Sequence, residues 1–243
     1  MPQFIVVLAY PRTGSSLCMQ TLKHLGAHVA GNAERPDLDV DGNPRGYYED
    51  MRVLGKGLTE KIVREYQAIQ ASHVAFKLAY NPLLPNHKRT TPEQQIAFLQ
   101  QLNPRFILTV RHPVESIMSI QRWSKSTCPK KQFIHITQKL KTYKANIETI
   151  LKVLSENGWL NRENCLIQNY HSAIINPEAY VERIAEFTQF QPNRQQITSA
   201  EANIAPELFR YKAEALPADV MVWDKNIGAT AAYERLLQPL LNG

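Results

Sequence analysis

A short apolar run that breaks into a Pro-, Gly- and Ser-bearing loop, and then into an amphipathic segment, constrains this chain more than any other feature. Residues 4–9 are continuously apolar and rich in β-branched side chains, the pattern of a central parallel strand covered on both faces. Pro11, Arg12, Thr13, Gly14, Ser15 and Ser16 follow. In the next stretch, 17–26, Leu17, Thr21, Leu22 and Leu25 share one helical face and Gly26 supplies a stop. Strand, tight loop and helix in this order aim backbone N–H groups and the positive end of a helix at an anion. Gly14 permits the tight turn, Thr13, Ser15 and Ser16 add hydroxyls, and Arg12 adds a permanent charge able to bridge two oxygens. An ordinary strand-to-helix turn capped by Ser is the competing reading.

The loop is neither of the two best-known nucleotide loops. It has no GxxxxGK[ST] spacing and no Lys to meet a triphosphate. It also lacks the GxGxxG of dinucleotide-binding folds.

Further along, 74–78 is a second apolar run interrupted by Lys77, 105–110 a third strand, and 165–168 a short fourth. Helical patterns fall at 51–70, after Thr91-Pro92, at 114–123, at 133–157, at 177–187 and at 229–241. Strands alternating with helices predict a three-layer α/β/α fold around a mainly parallel sheet, as a single domain over 1–243. A 243-residue chain with 44% hydrophobic and 21% charged residues can build such a core. Residues 31–50 are polar and turn-rich, a loop long enough to suggest function. The net charge of +6 fits an anionic ligand or simply a basic surface. Basic residues are interleaved with carboxylates and no nucleic-acid signature is visible, so no nucleic-acid partner is expected. Cys18, Cys128 and Cys165 are widely spaced, which predicts neither zinc site nor disulfide framework and fits a reduced, cytoplasmic setting. The N-terminal apolar run is too short for a secretion signal or a membrane span.

A second cation comes from Arg111, which follows the strand 105–110 at the end where open α/β sheets bind ligands. Ser119 lies eight residues on, about two helical turns into the next element. Arg111 and Ser119 can hold a second phosphate, unless Arg111 pairs with a carboxylate and Ser119 lies on the surface.

Together these segments resemble the nucleotide-binding signature of sulfotransferases that use 3′-phosphoadenosine 5′-phosphosulfate (PAPS). The loop 11–16 is similar to the PRSGTT form of bacterial and tyrosylprotein enzymes, and Arg111-His112-Pro113 through Ser119 resembles the family's 3′-phosphate element. A third match runs from Asn169-Tyr170 through Asn176-Pro177 to Phe187, with His171 and Ser172 where the family usually has acidic residues. The resemblance spans roughly residues 4–187. It implies a P-loop NTPase-like sulfotransferase fold, the 5′-phosphosulfate on Arg12, Thr13, Gly14, Ser15 and Ser16, the 3′-phosphate on Arg111 and Ser119, and Tyr170 near the adenine. Arg210, in an Ile-x-Pro-x-Leu-x-Arg pattern of related bacterial sequences, is a further cofactor-binding candidate; the Arg-Lys-Gly clamp of the cytosolic animal enzymes is absent.

The implied reaction is in-line transfer of a sulfuryl group from PAPS to a hydroxyl or amine, with no metal. Arg12 would stabilise the leaving phosphate oxygen electrostatically. Lys77 either faces the sulfuryl group, as a strand Lys does in several sulfotransferases, or packs its stem and sends its amine to water. Glu49, closing the Gly-Tyr-Tyr-Glu stretch 46–49, is the candidate base; alternatively Glu49 and Asp50 are acids at the start of the next helix. Asp50, His24 and His28 are fallbacks. Trp159 and Trp223 read as packing residues. The loop 31–50 and the basic helix bearing Lys139 to Lys152 are candidates to line the acceptor pocket, whether the acceptor is a small molecule, lipid, sugar or polyketide. A phosphotransferase or kinase and a non-catalytic sulfotransferase-like module are the other classes; the missing GK[ST] weighs against the first. Oligomeric state stays open.

Overall fold

A computed structural model describes residues 2–32, 46–54, 56–79, 90–121, 129–206 and 218–241. Five strands form one sheet in the order β2-β3-β1-β4-β5: β1 (Gln3–Ala9), β2 (His28–Val29), β3 (His73–Ala79), β4 (Arg105–Val110) and β5 (Cys165–Asn169). Every pairing is parallel. That requires each strand to be followed by a crossover, and the helices supply it.

The alternation of β1 decides what each face meets. Phe4, Val6 and Leu8 join one apolar cluster, Ile5 and Val7 the other, and all five are buried. The first cluster takes in α2 (Glu60–Gln67), α3 (Pro92–Leu102), α4 (Pro113–Gln121), α5 (Pro129–Glu156), α9 (Ala218–Ile227) and α10 (Ala229–Leu241). The second takes in α1 (Ser15–His24), α7 (Pro177–Thr188) and α8 (Arg194–Ala202). The expected three-layer α/β/α arrangement is therefore present.

This layering creates the crevice. After β1 the chain turns to the α1 face, burying Cys18, Met19 and Leu22, whereas after β4 it turns to the opposite face, burying Val114 and Ile117. Adjacent strands whose connections diverge leave a cleft at their C-terminal ends, where ligands of open α/β sheets bind.

The helix expected over 51–70 is shorter than predicted. Residues 51–54 form a turn closed by Val53 N–H and Leu54 N–H on the Asp50 carbonyl at 2.9 and 2.8 Å. α2 starts only at Glu60, capped by Thr59. Gly57 explains the interruption: its φ is +76°, and a Cβ there would lie 2.6 Å from the Gln95 side chain that binds Leu58. Four elements have no counterpart among the sequence expectations. β2 has only two residues, α6 (Tyr170–Ile175) starts directly off a strand, and α8 and α9 lie in weakly amphipathic sequence. The N-terminus of α8 carries a readable sign, a capping box between Asn193 and Gln196.

Candidate active site

The β1–α1 loop is a built turn. Thr13 is fully buried; its hydroxyl donates to the Tyr10 carbonyl at 2.8 Å and meets the Thr109 hydroxyl at 3.1 Å, tying the loop to β4. Arg12 and Gly14 both have left-handed backbones, with φ of +69° and +99°. A non-Gly residue in this region is uncommon and held only by surrounding contacts. Alternating backbone handedness of this kind turns successive N–H groups toward one point. Gly14 N-caps α1 without a side-chain bond, so Ser15 and Ser16 are the helix's first residues and not its cap. No other residue fits at Gly14, because a Cβ would lie 2.7 Å from the Tyr170 ring.

Across the crevice, the half-buried Arg12 donates from Nε to Ser119 Oγ at 3.0 Å. Ser119 is buried in α4, not on the surface. Arg111 is buried at the end of β4, and its guanidinium lies 4.9 Å from the Tyr170 ring centre. It also pairs with Glu115, Nε to Oε2, at 3.0 Å, so the carboxylate pairing weighed for Arg111 does occur. Tyr143 donates to the Arg111 carbonyl at 2.7 Å, fixing the backbone there. Gly14, Tyr170 and Arg111 thus stack in sequence on one side of the loop, with Arg12 and Ser119 bonded beside them.

On the other side stands a buried ion pair. Lys77 Nζ and Glu49 Oε1 are 2.9 Å apart, with side chains only 1% and 9% exposed. Lys77 also donates to the Tyr47 carbonyl at 2.8 Å and reaches Ser16 Oγ at 3.4 Å. Of the two sequence readings, a packed stem with its amine in water is excluded. The ammonium instead links the loop hydroxyl to the carboxylate, and a buried Lys needs such partners.

Glu49 is held by backbone, not by a helix start. It forms an isolated antiparallel bridge with Asn32, with N–H to O distances of 3.3 and 3.2 Å. The bridge needs Gly31, where a Cβ would come within 2.8 Å of the Glu49–Asp50 backbone. The segment behind it is anchored to α1: Gln20 donates to the Gly46 carbonyl at 2.9 Å and Ser16 to the Tyr47 carbonyl at 3.3 Å.

The fallback bases are placed differently. Asp50 is buried and engaged by Arg52, from Nε at 3.0 Å and from the backbone N–H at 2.9 Å, and by the Tyr66 hydroxyl at 2.9 Å. Burial pushes its pKa up, but the hydrogen bonds and charge of Arg52 and the Tyr66 bond outweigh that and leave it below the usual carboxylate value. Its contribution to stability is therefore present above the unfolded-state pKa and is lost as the pH falls through the lower folded-state value. Asp50→Asn is expected to cost about 1–2 kcal/mol at neutral pH, since Arg52 is half exposed and water screens its charge. Melting curves of the variant and the parent should converge at acid pH; a constant gap at all pH values would remove the ionic contribution. His24 closes α1 and His28 is exposed opposite Val74, so both sit at the far end of the sheet from the loop.

Arg210 and most of the 31–50 loop, residues 33–45, lie outside the described residues. The basic helix α5 does come alongside the site: the Tyr10 hydroxyl donates to the Lys139 carbonyl at 3.3 Å. Lys152, farther along, is exposed and pairs with Glu156. Trp159 stacks on Phe106 and Trp223 is partly buried against the same cluster. The thiols of Cys18 and Cys165 are buried, and burial pushes each pKa up to about 12. Neither forms a reactive thiolate. No helix among the described residues is long and apolar enough to cross a membrane.

A family model described as "Sulfotransferase family" matches residues 2–192. No curated protein matches the sequence. Among solved structures, the sulfotransferase domain from the curacin biosynthetic pathway is 16% identical with a TM-score of 0.54, the match covering 96% of this chain and 99% of that one. A sulfotransferase from Alicyclobacillus acidocaldarius is 14% identical with a TM-score of 0.54, over 98% and 96% of the two chains. A mouse sulfotransferase complexed with PAP is 12% identical with a TM-score of 0.54, over 87% of this chain and 66% of that one. At these identities the likeness is one of fold.

Proposed function

The chain belongs to the sulfotransferase family, and from that premise we propose that it moves a sulfuryl group from PAPS to a hydroxyl or amine acceptor. One observation carries the reading: the Arg12–Ser119 bond spans the crevice beside the Gly14–Tyr170–Arg111 stack. Two guanidiniums and an aromatic ring gathered at the start of α1 suit a nucleotide with two separate phosphate groups. The likeness to a sulfotransferase complexed with PAP, adenosine 3′,5′-bisphosphate, supports the same donor. In this reading Thr13, Gly14, Ser15 and Ser16 receive the 5′ group through backbone N–H groups and hydroxyls. Arg111 and Ser119 receive the 3′-phosphate, with Tyr170 against the adenosine.

When bound, the donor supplies an activated sulfur whose leaving group is a phosphate. The chain's own residues then have three tasks. Glu49 takes the proton from the attacking oxygen or nitrogen as that atom bonds to sulfur. Lys77 holds the Glu49 carboxylate in place and offers positive charge to the sulfuryl oxygens from beside Ser16. Arg12 meets the negative charge that accumulates on the phosphate oxygen as the sulfur–oxygen bond breaks; a guanidinium does this without donating its proton. Fixed charges in a desolvated cleft do not have to reorganise during the step, which is why positioning and electrostatics can supply most of the acceleration.

Binding tests the donor. Adenosine 3′,5′-bisphosphate at a hundredfold excess over its dissociation constant should stabilise the protein by about 2.7 kcal/mol, read as a rise in melting temperature. Stabilisation by ATP–Mg²⁺ and not by the bisphosphate would favour a phosphotransferase. Arg111→Ala should weaken bisphosphate binding more than about tenfold, roughly 1.4 kcal/mol. Unchanged affinity would take Arg111 out of the site.

A further inference from the structure

The match to the family stops at residue 192, yet α10, which begins at Ala229, packs on β5, α4 and α5. Its contacts fall on the residues flanking the proposed nucleotide site. β4 and β5 end side by side, Val110 opposite Asn169, so Arg111 and Tyr170 leave the sheet as neighbours. His112 follows Arg111, and its Nε2 lies 3.2 Å from Thr230 Oγ1. Asn169 precedes Tyr170, and its Nδ2 donates to the Tyr233 hydroxyl at 3.0 Å. Thr230 and Tyr233 are three residues apart in α10 and so present their hydroxyls from one helical face.

Each bond restrains more than one atom. The Asn169 carboxamide works at both ends: its oxygen accepts the His171 N–H at 2.9 Å, capping α6, whose first residue is Tyr170. Turned over, the amide would set its NH₂ against that N–H, so the His171 N–H fixes the amide's orientation while the Tyr233 hydroxyl holds its other end and with it the start of α6. Thr230 is held in turn, its N–H donating to the buried carboxylate of Asp224 at 3.2 Å. Burial lowers the pKa of His112, which keeps a second cation away from Arg111.

We infer that Thr230 and Tyr233 are positioning residues: α10 grips His112 and Asn169 and thereby sets the Arg111–Tyr170 stack that receives the 3′-phosphate. The inference rests on the nucleotide reading of Arg111. Both act through His112 and Asn169, the residues they bond.

Tyr233→Phe and Thr230→Val each delete a hydroxyl and little volume. Calorimetry with adenosine 3′,5′-bisphosphate and with adenosine 5′-phosphate gives the test. Each variant should bind the bisphosphate about five- to tenfold more weakly, the scale of one lost hydrogen bond; Thr230→Val, acting through His112 on Arg111, should leave the monophosphate within about twofold, whereas Tyr233→Phe, acting through Asn169 on Tyr170, should weaken both nucleotides. In an Arg111→Ala background Thr230→Val should add nothing, because its effect passes through His112 and Arg111. Equal weakening of both nucleotides by Thr230→Val, a Thr230→Val loss that adds to that of Arg111→Ala, or unchanged bisphosphate affinity in Tyr233→Phe would overturn the inference and leave a merely structural role. Should Tyr233→Phe fail to fold, Thr230→Val reads the same effect through His112. If Arg111→Ala alone leaves bisphosphate affinity intact, the nucleotide reading falls and the inference falls with it.

Discussion

Glu49→Gln is expected to lower turnover by roughly 10²–10⁴-fold, the range for loss of a general base, while bisphosphate affinity stays within about twofold. The asymmetry follows from the position of Glu49. It lies on the β3 side of the loop, bridged to Asn32 and paired with Lys77, whereas Arg111 and Ser119 follow β4 on the other side of β1. Gln keeps the side chain's length and one acceptor oxygen for Lys77, so the geometry survives while the ability to take a proton is lost. Single-turnover rates with PAPS and a good acceptor, together with bisphosphate titration, check both halves. Full activity in Glu49→Gln would remove the base assignment.

Lys77→Met is expected to be the most damaging substitution for stability. Removing one partner of a buried ion pair leaves the other charge desolvated, at a cost of about 3–5 kcal/mol. The double variant Lys77→Met/Glu49→Leu should recover most of that loss, since replacing both charges by apolar groups of similar volume is often close to neutral. Turnover should not recover with it. The pair therefore separates stability from chemistry: urea denaturation should place the double variant near the parent, with activity still absent. A double variant that is both stable and active would show that neither charge serves the reaction. A Lys77→Met protein of parental stability would contradict the buried pairing itself.

Much of the frame was legible because it rests on local patterns. β1 and β4 are covered on both faces, so β1 appears as an unbroken apolar run and β4 as one interrupted only by Thr109 after Arg105, and Lys77 stood out as the one charge in another such run. Gly14 and the strand–loop–helix order likewise announced a tight turn at the helix start. What the sequence could not show is which residues meet. Lys77 reaches Glu49 only because β3 lies next to β1 and because Gly31 lets the Glu49 backbone approach. Nothing near Glu49 in sequence signals either condition. The pattern over 51–70 misled for a related reason: amphipathic spacing continues through a region that Gly57, pressed on Gln95, breaks. Thr230 and Tyr233 escaped notice because they lie outside any motif themselves, and the motif residues their hydroxyls act on, His112 and Asn169, are remote in the chain.

The Asn32–Glu49 bridge also bears on how such a protein can acquire new acceptors. Both ends of the intervening segment are fastened, one by the bridge and the other by Gln20 and Ser16 of α1. Chain inserted or removed between these fastenings need not move Glu49, and doubling a flexible loop's length costs only about 0.6 kcal/mol. The bridge acts as a socket. Segments of other lengths and sequences can be exchanged between the fastenings while Glu49, the proposed base, and the β1–α1 loop keep their places. On the sequence expectation that this segment lines the acceptor pocket, substrate scope diversifies by exchange of one cassette, in evolution or in the laboratory, without redesign of the proposed chemistry beneath.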